Sequence, residues 1–341
     1  MKEFRDNARK LMGKYCRVCP VCNGRACAGE VPGMGGLGSG SSFIGNVSAL
    51  AGIKFNMRLI HDVIEPDTAV QILGKSLALP VLAAPIGGVS FNMGGRVSEE
   101  DYIKAVINGC KAQGTIGCSG DGVPEFIHKS GFAAIQEADG HGIPFVKPWE
   151  DDELYAKIEL AKATGCDTIG MDIDAAGLIT LRRMGRPVSP KSPAKLAEII
   201  KKCGMKFILK GIMTVDDAEL ALAAGADAIV VSNHGGRVLD YAPATAEVLA
   251  DIAAKVKGRM TILVDGGVRS GGDILKMLAL GADAVMIGRP FSVAAVGGLQ
   301  AGVEKYLETL QGELKQVMVL TGTQSAADVD PRILFAGNQG Q

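Results

Sequence analysis

The segments AELALAAGADAIVVSNHGG (218–236) and ILKMLALGADAVMIGRP (274–290) are two copies of one pattern. Each passes from an amphipathic helix through Gly-Ala-Asp into a short apolar run, then leaves on a glycine turn. An apolar run bounded by turn residues reads as a strand covered on both faces, and a helix feeding it completes a βα unit. Working outward, the same alternation starts at residue 80. Its strand candidates are PVLAA (80–84), TIGC (115–118), PFVK (144–147), TIGMDI (168–173), KFILK (206–210), DAIVV (227–231), TILVD (261–265) and DAVMI (283–287). Spacings of about twenty to forty residues leave room for a crossover helix between parallel strands. Eight parallel strands close into a single (β/α)8 TIM barrel, whereas an open doubly wound sheet shares the local signals but not the count. The chain therefore divides into an N-terminal Cys/Gly-rich extension, residues 1–79, and a barrel, residues 80–341.

Composition narrows the function. With 36 basic and 37 acidic residues, a net charge of −1 and no basic block, nucleic acid and membrane surfaces are not expected partners. No apolar run reaches the roughly 18 residues of a membrane span, and the first residues, MKEFRDNARKLMGKY, are charged and lack the apolar centre of a signal peptide. Eight cysteines in 341 residues are too few for a disulfide scaffold, so a cytoplasmic protein is expected.

In a barrel of this kind chemistry sits just after the strands, at their carboxyl ends. Strand six is followed by Ser232-Asn233-His234-Gly235-Gly236-Arg237. A histidine there can titrate near neutrality, and the arginine offers a planar fork to a carboxylate. Strand seven opens on Asp265-Gly266-Gly267-Val268-Arg269 and strand eight on Gly288-Arg289. Glycine turns at this pair of strands, leading into helix N-termini, form an anion pocket from backbone N–H groups, with the arginines as phosphate partners. Lys210 ends an apolar strand, a costly place for a cation unless something anionic meets it. Asp172 and Asp174 end strand four; strand alternation would turn only one of them into the mouth.

With LKGI (209–212), VSNHGGRVLD (231–240), VDGGVRSGGDILKMLALGADAVMIGRP (264–290) and GVEKYLETLQGELKQVMVLTG (302–322), the chain resembles the FMN-dependent α-hydroxy-acid oxidases and dehydrogenases. The likeness extends upstream through GKSLALPVLAAPIGG (74–88) toward Asn46. It implies FMN as cofactor and a small 2-hydroxy acid as substrate, oxidised to the 2-oxo acid, with a homo-oligomer as a common assembly. By the resemblance His234 is the base, Asp174 its orienting carboxylate, Arg237 the substrate-carboxylate anchor and Lys210 the cation beside the flavin. Pro85, Ile86, Gly87, Ser119 and Ser232 match flavin contacts. Asp265, Gly266, Gly267, Val268, Arg269, Gly288 and Arg289 match the ribityl and phosphate pocket.

Some positions depart from that pattern. After strand three the family carries a Gln-Leu-Tyr-like triplet; here Val146-Lys147-Pro148 follows Phe145, which puts proline at the substrate tyrosine. Trp149, the single tryptophan, could cover the flavin or simply pack. Cys16, Cys19, Cys22 and Cys27, spaced C-x2-C-x2-C-x4-C, could hold an iron–sulfur cluster or zinc, or form a reduced loop over the barrel mouth. Three other readings stay open: an FMN-dependent isomerase resembling type 2 isopentenyl diphosphate isomerase, a sugar-phosphate enzyme using the same pocket, and a flavin or cluster redox sensor.

Overall fold

A computed structural model describes residues 1–186 and 188–336. Pro187 and residues 337–341 of the expected barrel unit lie outside them. A short antiparallel hairpin, β1 (Val70–Ile72) and β2 (Lys75–Leu77), precedes eight parallel strands. These are β3 (Val81–Ile86), β4 (Ile116–Ser119), β5 (Ile143–Val146), β6 (Thr168–Asp172), β7 (Lys206–Ile212), β8 (Ala228–Val231), β9 (Thr261–Val264) and β10 (Ala284–Ile287). They pair in sequence order and β10 closes on β3, so the sheet is a barrel without edges. Each of the eight sequence-predicted strands is present, with ends that coincide or are displaced by at most two residues.

The displacement has a cause in the Gly-Ala-Asp repeat. Asp227 and Asp283 sit just below their strands rather than in them. Each accepts a backbone N–H from the start of a neighbouring strand, Asp227 from Phe207 at 2.8 Å and Asp283 from Ile262 at 2.7 Å. Gly225 (φ 92) and Gly281 (φ 111) end the preceding helices in conformations open to glycine. The repeat therefore stitches the bottom of the barrel, opposite the face where a site forms.

Every residue of β4, β5, β6, β8 and β10 is buried, as strands covered by helices outside and side chains inside require. The outer helices include Glu99–Ala112, Glu125–Glu137, Asp151–Lys162, Pro193–Cys203, Val215–Ala223, Thr245–Val256 and Gly271–Ala279. The last, Arg289–Thr321, breaks at Leu299. Among the described residues no helix is long and apolar enough to cross a membrane.

The amino-terminal extension is built into the barrel. Helix Lys2–Met12 packs on the last helix, with Asn7 donating to the Gly297 carbonyl at 2.7 Å. Helix Ser41–Gly52 brings Asn46 to the loop after β8, where it and Asn233 exchange side-chain hydrogen bonds at 2.8 and 3.0 Å. Between these helices the chain crosses the carboxyl ends of the strands.

Candidate active site

The loops after the strands and the crossing segment enclose a cavity of about 290 Å³. Its floor includes Lys210 at the end of β7. Burial opposes the ammonium charge, but Asp172 (3.2 Å), Asp265 (3.9 Å) and Asp174 (4.0 Å) surround it and raise its pKa above the ordinary lysine value. Only Asp172 of the two strand-end aspartates lines the cavity, as expected, yet Asp174 also reaches Lys210. The chain leaves β6 at Asp172 and enters a tight helical turn, Ile173–Gly177, and the two-residue period of a strand no longer applies.

His234 follows β8 with φ 56, a left-handed conformation costly for a residue with a Cβ. The turn is held in place: Ser232 Oγ accepts from the His234 N–H at 3.0 Å, and the Asn233 carbonyl accepts from Gly236 N–H at 3.0 Å. Ser232 therefore acts on the histidine's backbone and is not part of the cavity lining. This strained turn places His234 Nδ1 3.0 Å from Asp174 Oδ1. Burial alone would raise the Asp174 carboxyl; His234, and after it Lys210, outweigh burial and hold its pKa at about 2. The ionised carboxylate only accepts, so Nδ1 carries a proton, and the acceptor of the neutral ring is Nε2.

On the other side, Asp265, Gly266, Gly267, Val268, Arg269, Gly288 and Arg289 all line the cavity, as do Pro85 and Ile86 at the end of β3 and Gly87 after it. Gly266 (φ 94) and Gly267 (φ 85) adopt left-handed conformations, and Thr245 Oγ1 and Asn46 lie against the place where their Cβ atoms would be. The half-buried Glu99 carboxylate accepts from Gly88 N–H at 2.9 Å and Val89 N–H at 2.7 Å, fixing the loop beside Gly87.

Three arginines converge here. Arg237 donates to the carbonyls of Gly33 (2.6 Å) and Gly35 (3.1 Å) and to Asn92 Oδ1 (3.1 Å). Arg289 donates to Met34, Gly235 and Gly35 carbonyls at 2.7 to 3.0 Å and lies 3.7 Å over the Phe43 ring. Arg269 reaches the Cys22 carbonyl at 3.2 Å and the carbonyl of Val268 at 2.8 Å. All their protein partners are neutral. Burial first, then repulsion from Arg237 and Arg269, pushes Arg289 down to about 9. A trio of partly buried cations with only carbonyl and thiol partners suits an anion such as a phosphate monoester. Asp265 Oδ1, in the cavity lining, is buried without a hydrogen-bond partner, so a polar acceptor is also unspent there. These features fit FMN.

Other expected residues fall elsewhere. Ser119, expected to touch the cofactor, is directed away from the cavity, since a Cβ on Gly131 of the outer helix would lie 2.8 Å from its Oγ. Its neighbour Cys118 is the inward residue of β4; burial chiefly, with Asp172 nearby, raises its thiol pKa. The cavity is lined by Lys147 and not by Pro148. Trp149 is buried outside the cavity lining and donates Nε1–H to Asp121 Oδ2 at 2.6 Å, so it packs rather than covers a ligand. The four amino-terminal cysteines are free thiols that do not converge as a ligand set. Among the described residues the one group with convergent metal-type ligand atoms is Asp172, Asp174 and His234, where the Lys210 ammonium already supplies a cation.

Sequence reasoning missed the crossing segment 28–40. Its glycines let backbone carbonyls approach the arginines, a role with no side-chain signature.

A family model described as FMN-dependent dehydrogenase matches residues 34–187 and 181–336. The chain is 32% identical over 314 residues to an L-lactate oxidase of Lactobacillus jensenii, covering 83% of this chain and 75% of the relative. A 4-hydroxymandelate oxidase of Amycolatopsis orientalis is 32% identical over 331 residues, covering 85% and 89%. Spinach (Spinacia oleracea) glycolate oxidase is 31% identical over 328 residues, covering 83% and 85%. A crystal structure of a mandelate oxidase superposes with a TM-score of 0.78 over 98% of this chain and 97% of that one, at 28% identity.

Proposed function

The chain belongs to the FMN-dependent dehydrogenase family, and from that premise we propose that it oxidises a 2-hydroxy acid to the 2-oxo acid. The observation that carries this reading is the His234–Asp174 pair, a proton acceptor fixed by a buried carboxylate at the edge of the cavity.

FMN, when bound, supplies the two-electron acceptor. The backbone of Pro85–Gly87, Lys210 and the turn Asp265–Arg269 would hold it, with Gly288 and Arg289 at its phosphate. His234 Nε2 takes the substrate hydroxyl proton, and Asp174 stabilises the imidazolium that results. Arg237 anchors the substrate carboxylate: its Nε–H is not used by Gly33, Gly35 or Asn92. Lys210 favours negative charge above the cavity floor, moderated by its three aspartates.

The same reading places the protein in the cytoplasm, supported by eight free cysteines. A homo-oligomer is supported by the exposed apolar side chains Met57, Leu59, Ile60 and Ile64. Residues 1–79 and 80–341 are taken as extension and barrel.

The test is anaerobic. The purified protein should be yellow and release FMN on acid treatment, and a panel of 2-hydroxy acids should include one that bleaches it. If dithionite bleaches the flavin and no acid does, hydroxy-acid oxidation is overturned while the fold and cofactor stand.

A further inference from the structure

Three lysines are buried around the mouth of this barrel, and they are not alike. Lys210 has its aspartates, and Lys157 pairs with Asp121 Oδ1 at 2.7 Å. Lys147, only 7% exposed, makes no side-chain hydrogen bond or ion pair among the described residues, and it lines the cavity. A buried ammonium group without a partner is unfavourable, and facing a ligand cavity it is a place for an anion.

The position of Lys147 is enforced. Its backbone N–H donates to Asp121 Oδ2 at 3.0 Å. Asp121 is itself fixed by Trp149 Nε1–H, Lys157 and the Gly122 N–H at 2.6 to 2.8 Å. Such a buried network holds the end of β5 rigid and takes up the Asp121 carboxylate, so the opposing charge left to Lys147 is that of Asp174, which it feels without a hydrogen bond or ion pair. The apolar part of the cavity lining includes Val31, Pro32, Phe91, Leu178, Leu181 and Met184.

The site therefore presents two cations to a substrate from different sides. Arg237 follows β8 and Lys147 follows β5, with β6 and β7 between them in the barrel. A 2-hydroxy acid with one carboxylate can satisfy Arg237 but has nothing to offer Lys147.

We propose that Lys147 is a specificity-determining residue that binds a second anionic group, so that the acid oxidised here carries a carboxylate or phosphate at the end remote from C2. This rests on the hydroxy-acid reading above.

The experiment compares matched racemic acids on the FMN-loaded enzyme: 2-hydroxybutyrate as the monoacid, malate and 2-hydroxyglutarate as diacids, and 3-phosphoglycerate as the phosphate form. Rates of anaerobic flavin bleaching are read alongside affinities of 2-oxobutyrate and 2-oxoglutarate, taken from the shift of the oxidised flavin spectrum. Either the diacids or the phosphate acid should be preferred, which identifies the anion. Lys147→Met should cost the preferred acid about ten- to a hundredfold in kcat/KM with little change for 2-hydroxybutyrate, and Lys147→Arg should restore most of it. 2-Oxoglutarate should bind wild type more tightly than 2-oxobutyrate and lose that advantage in Lys147→Met.

Equal handling of the monoacid, the diacids and the phosphate acid by wild type overturns the proposal, as does an equal loss for the monoacid and the preferred acid in Lys147→Met, which would mark Lys147 as structural. If no hydroxy acid bleaches the flavin, the parent reading fails by a different sign. The oxo-acid affinities then still decide whether Lys147 selects a second anion.

Discussion

Asp174 Oδ1 stands 3.0 Å from His234 Nδ1, and Asp174 Oδ2 stands 4.0 Å from Lys210 Nζ. One carboxylate thus joins the group placed to take a proton to the group placed to stabilise negative charge. Its two oxygens serve different partners, so replacing it disturbs both.

His234→Gln keeps most of the side-chain volume and removes the base. Anaerobic flavin reduction should slow by roughly a hundredfold or more, with FMN still bound. Asp174→Asn should cost a similar factor by another route. An amide can donate to Nδ1, which would place the ring proton on Nε2 and leave no acceptor for the substrate hydroxyl. Stopped-flow traces at 450 nm separate lost chemistry from lost cofactor, since only the latter lowers the starting absorbance.

The same carboxylate makes stability depend on acid. Its pKa falls from an ordinary 3.8 to about 2 in the fold. A depressed carboxyl contributes stability that is present above its unfolded pKa and lost as pH falls through the folded one. The contribution, roughly 2 kcal/mol, should therefore be complete above about pH 5 and fade between pH 4 and 2. Urea midpoints for wild type and Asp174→Asn should differ at pH 6 and converge toward pH 2. A constant difference across that range would show that Asp174 does not titrate with folding.

Arg289 tests the anion pocket. Its three carbonyl partners and the Phe43 ring orient the guanidinium without neutralising it. Arg289→Met should weaken FMN binding by about ten- to a hundredfold, the worth of one charge-assisted contact to a phosphate. Fluorescence titration of the apoprotein measures it. Riboflavin, which lacks the phosphate, should bind wild type and variant alike.

The barrel was legible because each strand is an apolar run with a turn at both ends, and because the doubled Gly-Ala-Asp pattern marks where two of them start. Site residues at strand ends followed from the fold: His234, Lys210, Arg237 and the two glycine turns all meet at one cavity, with Asp174 against His234 and Lys210 behind its lining. Reading was incomplete where the chain stops being a strand. Beyond Asp172 the backbone turns helical, and parity no longer assigns a face to Asp174. At β4 the resemblance put Ser119 at the flavin, whereas its side chain packs toward Gly131 of the outer helix. Lys147 escaped notice because a lysine after a strand looks like a solvated one until burial is known. The carbonyls of Gly33, Met34 and Gly35 had no sequence signal, since every residue has a carbonyl.

Two glycines with nearly the same backbone separate the cost of conformation from that of crowding. Gly267 has φ 85 and Gly258 has φ 80, both in the region that L side chains rarely adopt. A Cβ on Gly258 would meet nothing within 4 Å, so Gly258→Ala should cost conformational strain alone, about 1 kcal/mol. A Cβ on Gly267 would press into the backbone carbonyl of Asn46, which cannot rotate away as a side-chain tip could. Asn46 is also bound to Asn233 and accepts from Thr245 N–H at 3.1 Å, so relief means moving helix Ser41–Gly52 and the loop before His234 together. Gly267→Ala should therefore destabilise by about 3 kcal/mol or more and release FMN, because the displaced turn is the one expected to cradle it. Thermal unfolding with and without added FMN reads both effects. Equal shifts for the two variants would mean that Asn46 and its helix yield freely, and that the amino-terminal extension does not brace the cofactor turn.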